Sequence, residues 1–172
     1  MNPQFDNLMV AAYDQTVLIQ IHGKASFGSS IDLKRLINEL RSRGTVRFVF
    51  DLSACTMMDS TFLGLLSGIG LEFAHDKTVA RTINLYNPND RIAETIEGLG
   101  VAQLFTICNG DAAGQREFKA LEHTEADRVD VTRTCLEAHN TLIEINPDNA
   151  RKFKEVTRFL AEDLKRLESA GN

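Results

Sequence analysis

A short polar junction between two apolar runs restricts the folds that this chain can adopt. Residues 46–52 are apolar nearly throughout, which is typical of a strand that is covered on both faces of a sheet. Asp59, Ser60 and Thr61 come shortly afterwards, and from residue 60 to residue 75 apolar side chains recur at helical spacing. A buried strand, a polar turn and a capped helix in this order predict an α/β fold with a mixed or parallel sheet.

Strand and helix patterns alternate over the first 108 residues. They predict strands at 8–13 and 16–21, a helix from a capping box at Ser29 to Gly44, strands at 46–52 and 79–86, a short helix after Asn87-Pro88, and a strand at 104–107. The sequence therefore predicts a mixed β-sheet with helices over residues 1–108.

A helical extension follows this unit. Residues 109–124 have the composition of a linker, and residues 125–172 are charged and periodic. Asn146-Pro147 divides this last segment into two helices, because asparagine caps helices and proline suits a first helical turn. We expect a helical hairpin that packs on the domain or on another subunit, which would give a homodimer.

Composition argues against several classes of protein. Hydrophobic residues make up 43% of the chain, enough for a core, whereas a net charge of −5 argues against nucleic-acid binding. No run is apolar and long enough to insert into a membrane, and residues 1–6 show no export signal. Cys55, Cys108 and Cys135 lack a paired spacing, so we expect reduced thiols and a cytoplasmic protein.

No motif for metal, cofactor or catalytic chemistry is apparent. The four histidines have no metal-ligand spacing, and no glycine-rich phosphate cradle follows a strand. Ser60 lacks the flanking glycines of a hydrolase nucleophile, and its neighbour Asp59 cannot replace a histidine base. We expect no enzyme and no cofactor, although residues distant in sequence can meet in a pocket that spacing does not reveal.

Asp59, Ser60 and Thr61 allow two interpretations. Their residue types are favoured at every helix start, so a purely capping role is the more common explanation. A helix start also offers unpaired N–H groups and a partial positive charge, which suit a phosphate carried on a hydroxyl. Gly64 and Gly68 lie four apart on the same helix, which indicates either close packing or the approach of another surface.

Residues 49–53, with the sequence VFDLS, and residues 58–66, with the sequence MDSTFLGLL, are similar to the signature of the STAS domain. Bacterial anti-sigma factor antagonists and the cytoplasmic tails of sulphate transporters share this fold. The resemblance covers roughly the first hundred residues and agrees with the predicted order of elements. It implies that Ser60 is a phosphate acceptor, that the partner is a serine kinase acting as an anti-sigma factor, and that a separate phosphatase completes the cycle.

Two positions depart from the family pattern. An acidic Gly-Glu-Leu-Asp-like run is replaced by residues 23–26, which exchanges a carboxylate for Lys24, a cation that could stabilise a phosphoserine. The usual serine and glycine after the acceptor are Thr61 and Phe62, so Thr61 becomes a second candidate acceptor.

The resulting hypothesis is a non-catalytic protein-binding switch in bacterial transcription regulation. A phosphate adds about −1.5 to −2 charges beside Asp59 and would repel an acidic partner. The expected docking residues are Asp59, Ser60, Thr61, Phe62, Gly64, Lys24 and Ser26. The alternative is a scaffold or structural module, in a sensory complex or as the soluble subunit of a lipid ABC transporter, in which Ser60 only caps a helix.

Overall fold

The computed structural model describes residues 7–171. Residues 1–6, where we expected no export signal, and residue 172 lie outside the described part. The strands are β1 Leu8–Tyr13, β2 Thr16–Ile21, β3 Gly23–Ala25, β4 Arg47–Asp51, β5 Cys55–Met58, β6 Thr82–Tyr86, β7 Thr106–Cys108 and β8 Lys119–Ala120. The helices are α1 Phe27–Ser42, α2 Ser60–His75, α3 Asp90–Gly98, α4 Arg128–Ile145 and α5 Ala150–Ala170.

A six-stranded mixed sheet organises the fold, in the order β7-β6-β4-β2-β1-β8. Strands β2, β4, β6 and β7 run parallel, whereas β1 is antiparallel to both of its neighbours. The connections between the parallel strands contain helices, as crossovers between parallel strands require. β3 and β5 form a separate parallel pair beside the start of α2. The predicted α/β fold class with a mixed sheet is confirmed.

Several predicted boundaries agree with the structure and others need correction. β1, β2 and α2 have the predicted bounds. The predicted capping box at Ser29 is wrong, because Ser26 caps α1 and Ser29 is its partner three residues later. Asp32 is instead turned toward residues 123 and 124, where its carboxylate accepts the backbone N–H of Thr124 at 3.1 Å.

Other corrections concern strands. β6 begins three residues later than predicted, and β7 follows a short 3-10 turn at Ala102–Leu104. The β3–β5 pair was not predicted, because three or four residues of mixed polarity carry little periodicity. The predicted linker contributes β8, which pairs with the edge of β1.

The hydrophobic core lies between the sheet and the helices. Its fully buried large side chains include Phe48, Phe50, Phe62, Leu63 and Leu66. The C-terminal hairpin adds Leu142 of α4 to the same cluster, with no exposed surface. α4 therefore packs on α2 as part of the continuous core and not as a separate layer.

The hairpin turn is held by asparagines. Asn146 accepts the backbone N–H of Asp148, and Asn149 donates to the carbonyl oxygens of Leu99 and Leu142 at 3.0 and 2.8 Å. The turn between α4 and α5 is thus joined to the end of α3. All three cysteines are free thiols. Within residues 7–171, none of the helices combines the length and apolarity that crossing a membrane requires.

Candidate functional site at the start of α2

Asp59 connects the starts of two helices. Its side chain caps α2 by accepting the backbone N–H of Phe62 at 2.8 Å through Oδ1. Its Oδ2 accepts the backbone N–H of Phe27, the first residue of α1, also at 2.8 Å. A carboxylate is well placed there because both helix starts carry partial positive charge. Asp59 is therefore a structural support for the site, with both carboxylate oxygens engaged.

Ser60 is the first residue of α2, and its hydroxyl contacts a histidine from the hairpin. The Ser60 Oγ lies 2.8 Å from Nε2 of His139 on α4. His139 is buried, and its Nδ1 lies 2.7 Å from the carbonyl oxygen of Cys135. Since a carbonyl only accepts, Nδ1 carries hydrogen, and in the neutral ring Nε2 accepts the Ser60 hydroxyl hydrogen.

This serine–histidine contact differs from a hydrolytic triad in its third member. A carbonyl oxygen orients His139, where a triad has a carboxylate that stabilises the imidazolium. The His139 ring also contacts the ring of Phe153 of α5 in a T-shaped arrangement, with ring centroids 4.9 Å apart. The histidine is thus positioned by three elements and joins the hairpin to the start of α2.

Thr61 and Cys135 face one another beneath this contact. Thr61 is buried, and burial raises the pKa of the Cys135 thiol, although a hydrogen bond with Thr61 opposes that rise. The second candidate acceptor therefore lies beneath α4 in this structure.

The two glycines of α2 allow α4 to pack closely against this helix. A Cβ atom on Gly64 would lie 2.4 Å from the carbonyl oxygen of Ala138, and one on Gly68 would lie 3.5 Å from the Thr141 methyl carbon. Lys34 of α1 adds an ion pair with Glu137 of α4 at 3.0 Å. The approaching surface that the glycines predicted is this chain's own hairpin.

Ser60 remains open on its other side. Its side chain is half-buried and borders a cavity of about 370 Å³ between α3 and α5. The remaining lining residues are Arg91, Glu94, Thr95, Gly98, Leu99, Lys152 and Phe153. Two cations and one carboxylate therefore lie around the same opening as the Ser60 hydroxyl.

Lys24 and Ser26 lie at a different cavity, of about 570 Å³, at the start of α1. Phe27 borders it with 56% of its surface exposed. Asp59 accepts the Phe27 N–H and precedes Ser60, so it connects a residue that borders this cavity with one that borders the other. Lys24 does not line the Ser60 cavity, and its expected contact with a phosphoserine has no support in this arrangement.

Some of the expected docking residues lie together at the surface, whereas others are buried. Asp59 and Ser60 adjoin at the helix start, whereas Phe62 is fully buried in the core and Gly64 is covered by α4. Phe62 and Gly64 are therefore unavailable for docking in this conformation. Sequence reasoning missed two residues. His139 is 79 residues away from Ser60 in the chain. Phe27 was missed because α1 begins at this residue, before the predicted capping box at Ser29.

No group of three or more histidine, cysteine, aspartate or glutamate side chains within residues 7–171 is arranged to hold a metal ion. The site is thus defined by a hydroxyl at a helix start, a histidine that accepts from it and a cavity with cationic walls. These features and the mixed sheet describe an α/β module with an accessible polar helix start.

Comparisons with known proteins agree with this description. Residues 7–112 match the family profile of the STAS domain. The fold is similar to the anti-sigma factor antagonist SpoIIAA in its unphosphorylated form, at 18% identity and a TM-score of 0.53, covering 61% of this chain and 89% of that one. It is also similar to the phosphorylated Bacillus cell fate determinant SpoIIAA, at 17% identity and a TM-score of 0.51, covering 61% and 92%.

A search of curated protein sequences finds no match. Because the STAS profile spans more than half of the sequence, this chain belongs to the STAS domain family. The profile ends before α4 and α5, so the hairpin that supplies His139 lies outside the matched region.

Proposed function

We propose that this protein is a non-catalytic, phospho-regulated binding switch of the anti-sigma factor antagonist type. Its partner is a serine kinase that also acts as an anti-sigma factor, a phosphatase reverses the modification, and the protein works in the cytoplasm of a bacterium. The membership in the STAS family and the similarity in fold to SpoIIAA support this proposal.

The observation that carries the proposal is the position of Ser60. Ser60 is the first residue of a sixteen-residue helix, is half-buried, and borders an open cavity. A kinase needs such an approach, and the helix start tolerates the added negative charge. Thr61, as the second candidate acceptor, lies beneath α4 and would have to be uncovered first.

The partner would contact the exposed surface at the start of α1, next to the start of α2. Lys24, Ser26 and Phe27 offer one cation, one hydroxyl and one exposed aromatic ring. A phosphate on Ser60 would add negative charge at the edge of this surface and would repel an acidic partner.

The test uses the whole chain with ATP and a serine kinase of the anti-sigma factor class from the same genome. Intact mass should show one phosphate on the native chain and on Thr61→Ala, but none on Ser60→Ala. A pull-down should retain the kinase with Ser60→Ala and lose most of it with Ser60→Asp. Transfer to Thr61 alone, or equal retention by the two Ser60 variants, would contradict the proposal.

The alternative function is a structural module in a sensory complex or a lipid ABC transporter. The observation that favours it is the hairpin, whose α5 leaves Val156 and Phe159 exposed at 41% and 62%. Such a surface suits self-association or assembly. Under this alternative, Phe159→Ser would disrupt assembly, measured by light scattering, and the Ser60 variants would behave like the native chain.

A further inference from the structure

We infer that the C-terminal hairpin is the element on which phosphorylation of Ser60 acts: a phosphate there would clamp α4 and α5 onto the STAS unit and keep the face of α2 covered. This inference rests on the proposed function and adds to it an intramolecular target. It also assigns roles to Arg91 and Lys152, which would bind the phosphate within the cavity, and to His139, which would bind it from the side of α4.

The chemistry of the transfer changes the contact between Ser60 and His139. The bond between Oγ and the γ-phosphorus of ATP forms, the bond from that phosphorus to the bridging oxygen breaks, and ADP leaves on the kinase. The hydroxyl proton passes to Nε2 of His139, which lies 2.8 Å away. The resulting imidazolium donates toward the phosphate, while Nδ1 keeps its bond to the Cys135 carbonyl.

The phosphoryl group has one open direction. His139 closes the side of Ser60 that faces α4, whereas the cavity of about 370 Å³ opens between α3 and α5. Arg91 on α3 and Lys152 on α5 line this cavity with a single carboxylate, Glu94. A phosphate dianion in the cavity would form charge-assisted hydrogen bonds with both cations.

These cations belong to different parts of the molecule. Arg91 lies within the region that matches the STAS profile, whereas Lys152 and His139 lie on the hairpin. Lys152 already donates to the Gly98 carbonyl oxygen at 3.2 Å, so its side chain reaches across to α3 without the phosphate. A phosphate between them would therefore join the hairpin to the STAS unit.

In the unmodified chain, the contact between the start of α2 and α4 is weaker. There, the start of α2 is joined to α4 by the hydrogen bonds of Ser60 with His139 and of Thr61 with Cys135, and such bonds contribute less net stability than bonds to a phosphate dianion. A partner that docks beside Phe27 and also contacts the face of α2 at Gly64 and Gly68 must displace α4, whose Leu142 is buried in the core, and the clamp would raise the free energy that this displacement requires. Phosphorylation would then prevent docking by stabilising the intramolecular cover.

Hydrogen exchange on the full chain tests the clamp, with phosphoserine installed at position 60 during translation. The amides of α4 should exchange about tenfold or more slowly in the phosphoserine chain than in the unmodified chain, because opening must break charge-assisted bonds. Lys152→Gln or Arg91→Gln should remove most of this difference. Lys154→Gln, an exposed position on the same helix that does not line the cavity, is the matched control and should leave it unchanged.

Equal or faster exchange in the phosphoserine chain would overturn the inference, because the phosphate would then have no effect on the hairpin or would expel it. An equal effect of Lys152→Gln and Lys154→Gln would also overturn it. No kinase takes part, so this result is separate from the proposed function, which fails if kinases of the stated class leave Ser60 unmodified.

Discussion

The two sides of α2 are built in different ways. The side toward the sheet presents large apolar residues, and Phe62, Leu63 and Leu66 are fully buried there. The side toward the hairpin presents Gly64 and Gly68, with the hydroxyl of Ser60 at its end. Bulky packing fixes the helix on the sheet, whereas α4 is held by close backbone approach, by polar contacts and by the buried side chain of Leu142. The second side is therefore the one on which the proposed phosphorylation would act.

A substitution at Leu142 tests how much the hairpin contributes to the core. It has the largest expected effect on the free energy of unfolding. Leu142→Ala should lower the free energy of unfolding by about 2–5 kcal/mol, because the side chain is fully buried among core residues and a cavity would remain. Urea denaturation measures this, with Leu66→Ala as the comparison on the sheet side of α2. A loss below about 1 kcal/mol for Leu142→Ala alone would show that the hairpin contributes little to the core.

The glycines provide a matched pair that separates close approach from helix propensity. Gly64→Ala should destabilise the protein by about 1–3 kcal/mol, since its Cβ would meet the Ala138 carbonyl and α4 would have to move. Gly68→Ala should be neutral or stabilise by up to about 1 kcal/mol, because its Cβ makes an ordinary contact and alanine favours the helix.

Thermal unfolding of both glycine variants, with hydrogen exchange of α4, distinguishes the two effects. Exchange should accelerate in α4 for Gly64→Ala and stay near the native rate for Gly68→Ala. Similar behaviour of the two variants would mean that α4 adapts to a methyl group at either position.

The smallest expected effect is on the stability of the protein at acidic pH. Asp163 of α5 is buried and paired with Arg166 and Arg128, and the hydrogen bond with Arg166, ahead of the other contacts, lowers the pKa of its carboxyl. A folded-state pKa below the unfolded value means that the stabilisation is present above about pH 3.9 and is lost as the pH falls through the folded-state pKa.

Asp163→Asn is the control for this acid effect. The native chain should melt at a higher temperature than the variant near neutral pH, and the difference should shrink below about pH 4. A difference that stays constant across this range would exclude Asp163 as its source.

Local patterns predicted the core of the STAS unit well. The bounds of α2 and the place of Ser60 followed from a capped start and helical spacing, which depend on neighbouring residues. The spacing of Phe62 from Leu66 and Phe73 also carried the signal that Phe62 faces the core, although we expected it on the docking surface. The burial of Phe62 is thus an error of interpretation and not of missing information.

The partner of Ser60 could not be predicted in the same way. His139 meets Ser60 only because α4 crosses α2 at two glycines, and no periodicity links residues 79 positions apart. The glycine pair did predict an approaching surface without identifying it. We retain as a proposal the division into a STAS-like unit at 1–108, a linker at 109–124 and a hairpin at 125–172.

The short pairing of β8 with β1 has a consequence for shortened chains. β8 covers part of an edge of the main sheet, and it follows the last residue that matches the STAS profile. Cutting the protein at that point would bare the backbone donors and acceptors of β1 together with the glycine side of α2. Such a fragment would tend to aggregate through exposed strand edges, although it retained every residue of the recognised domain.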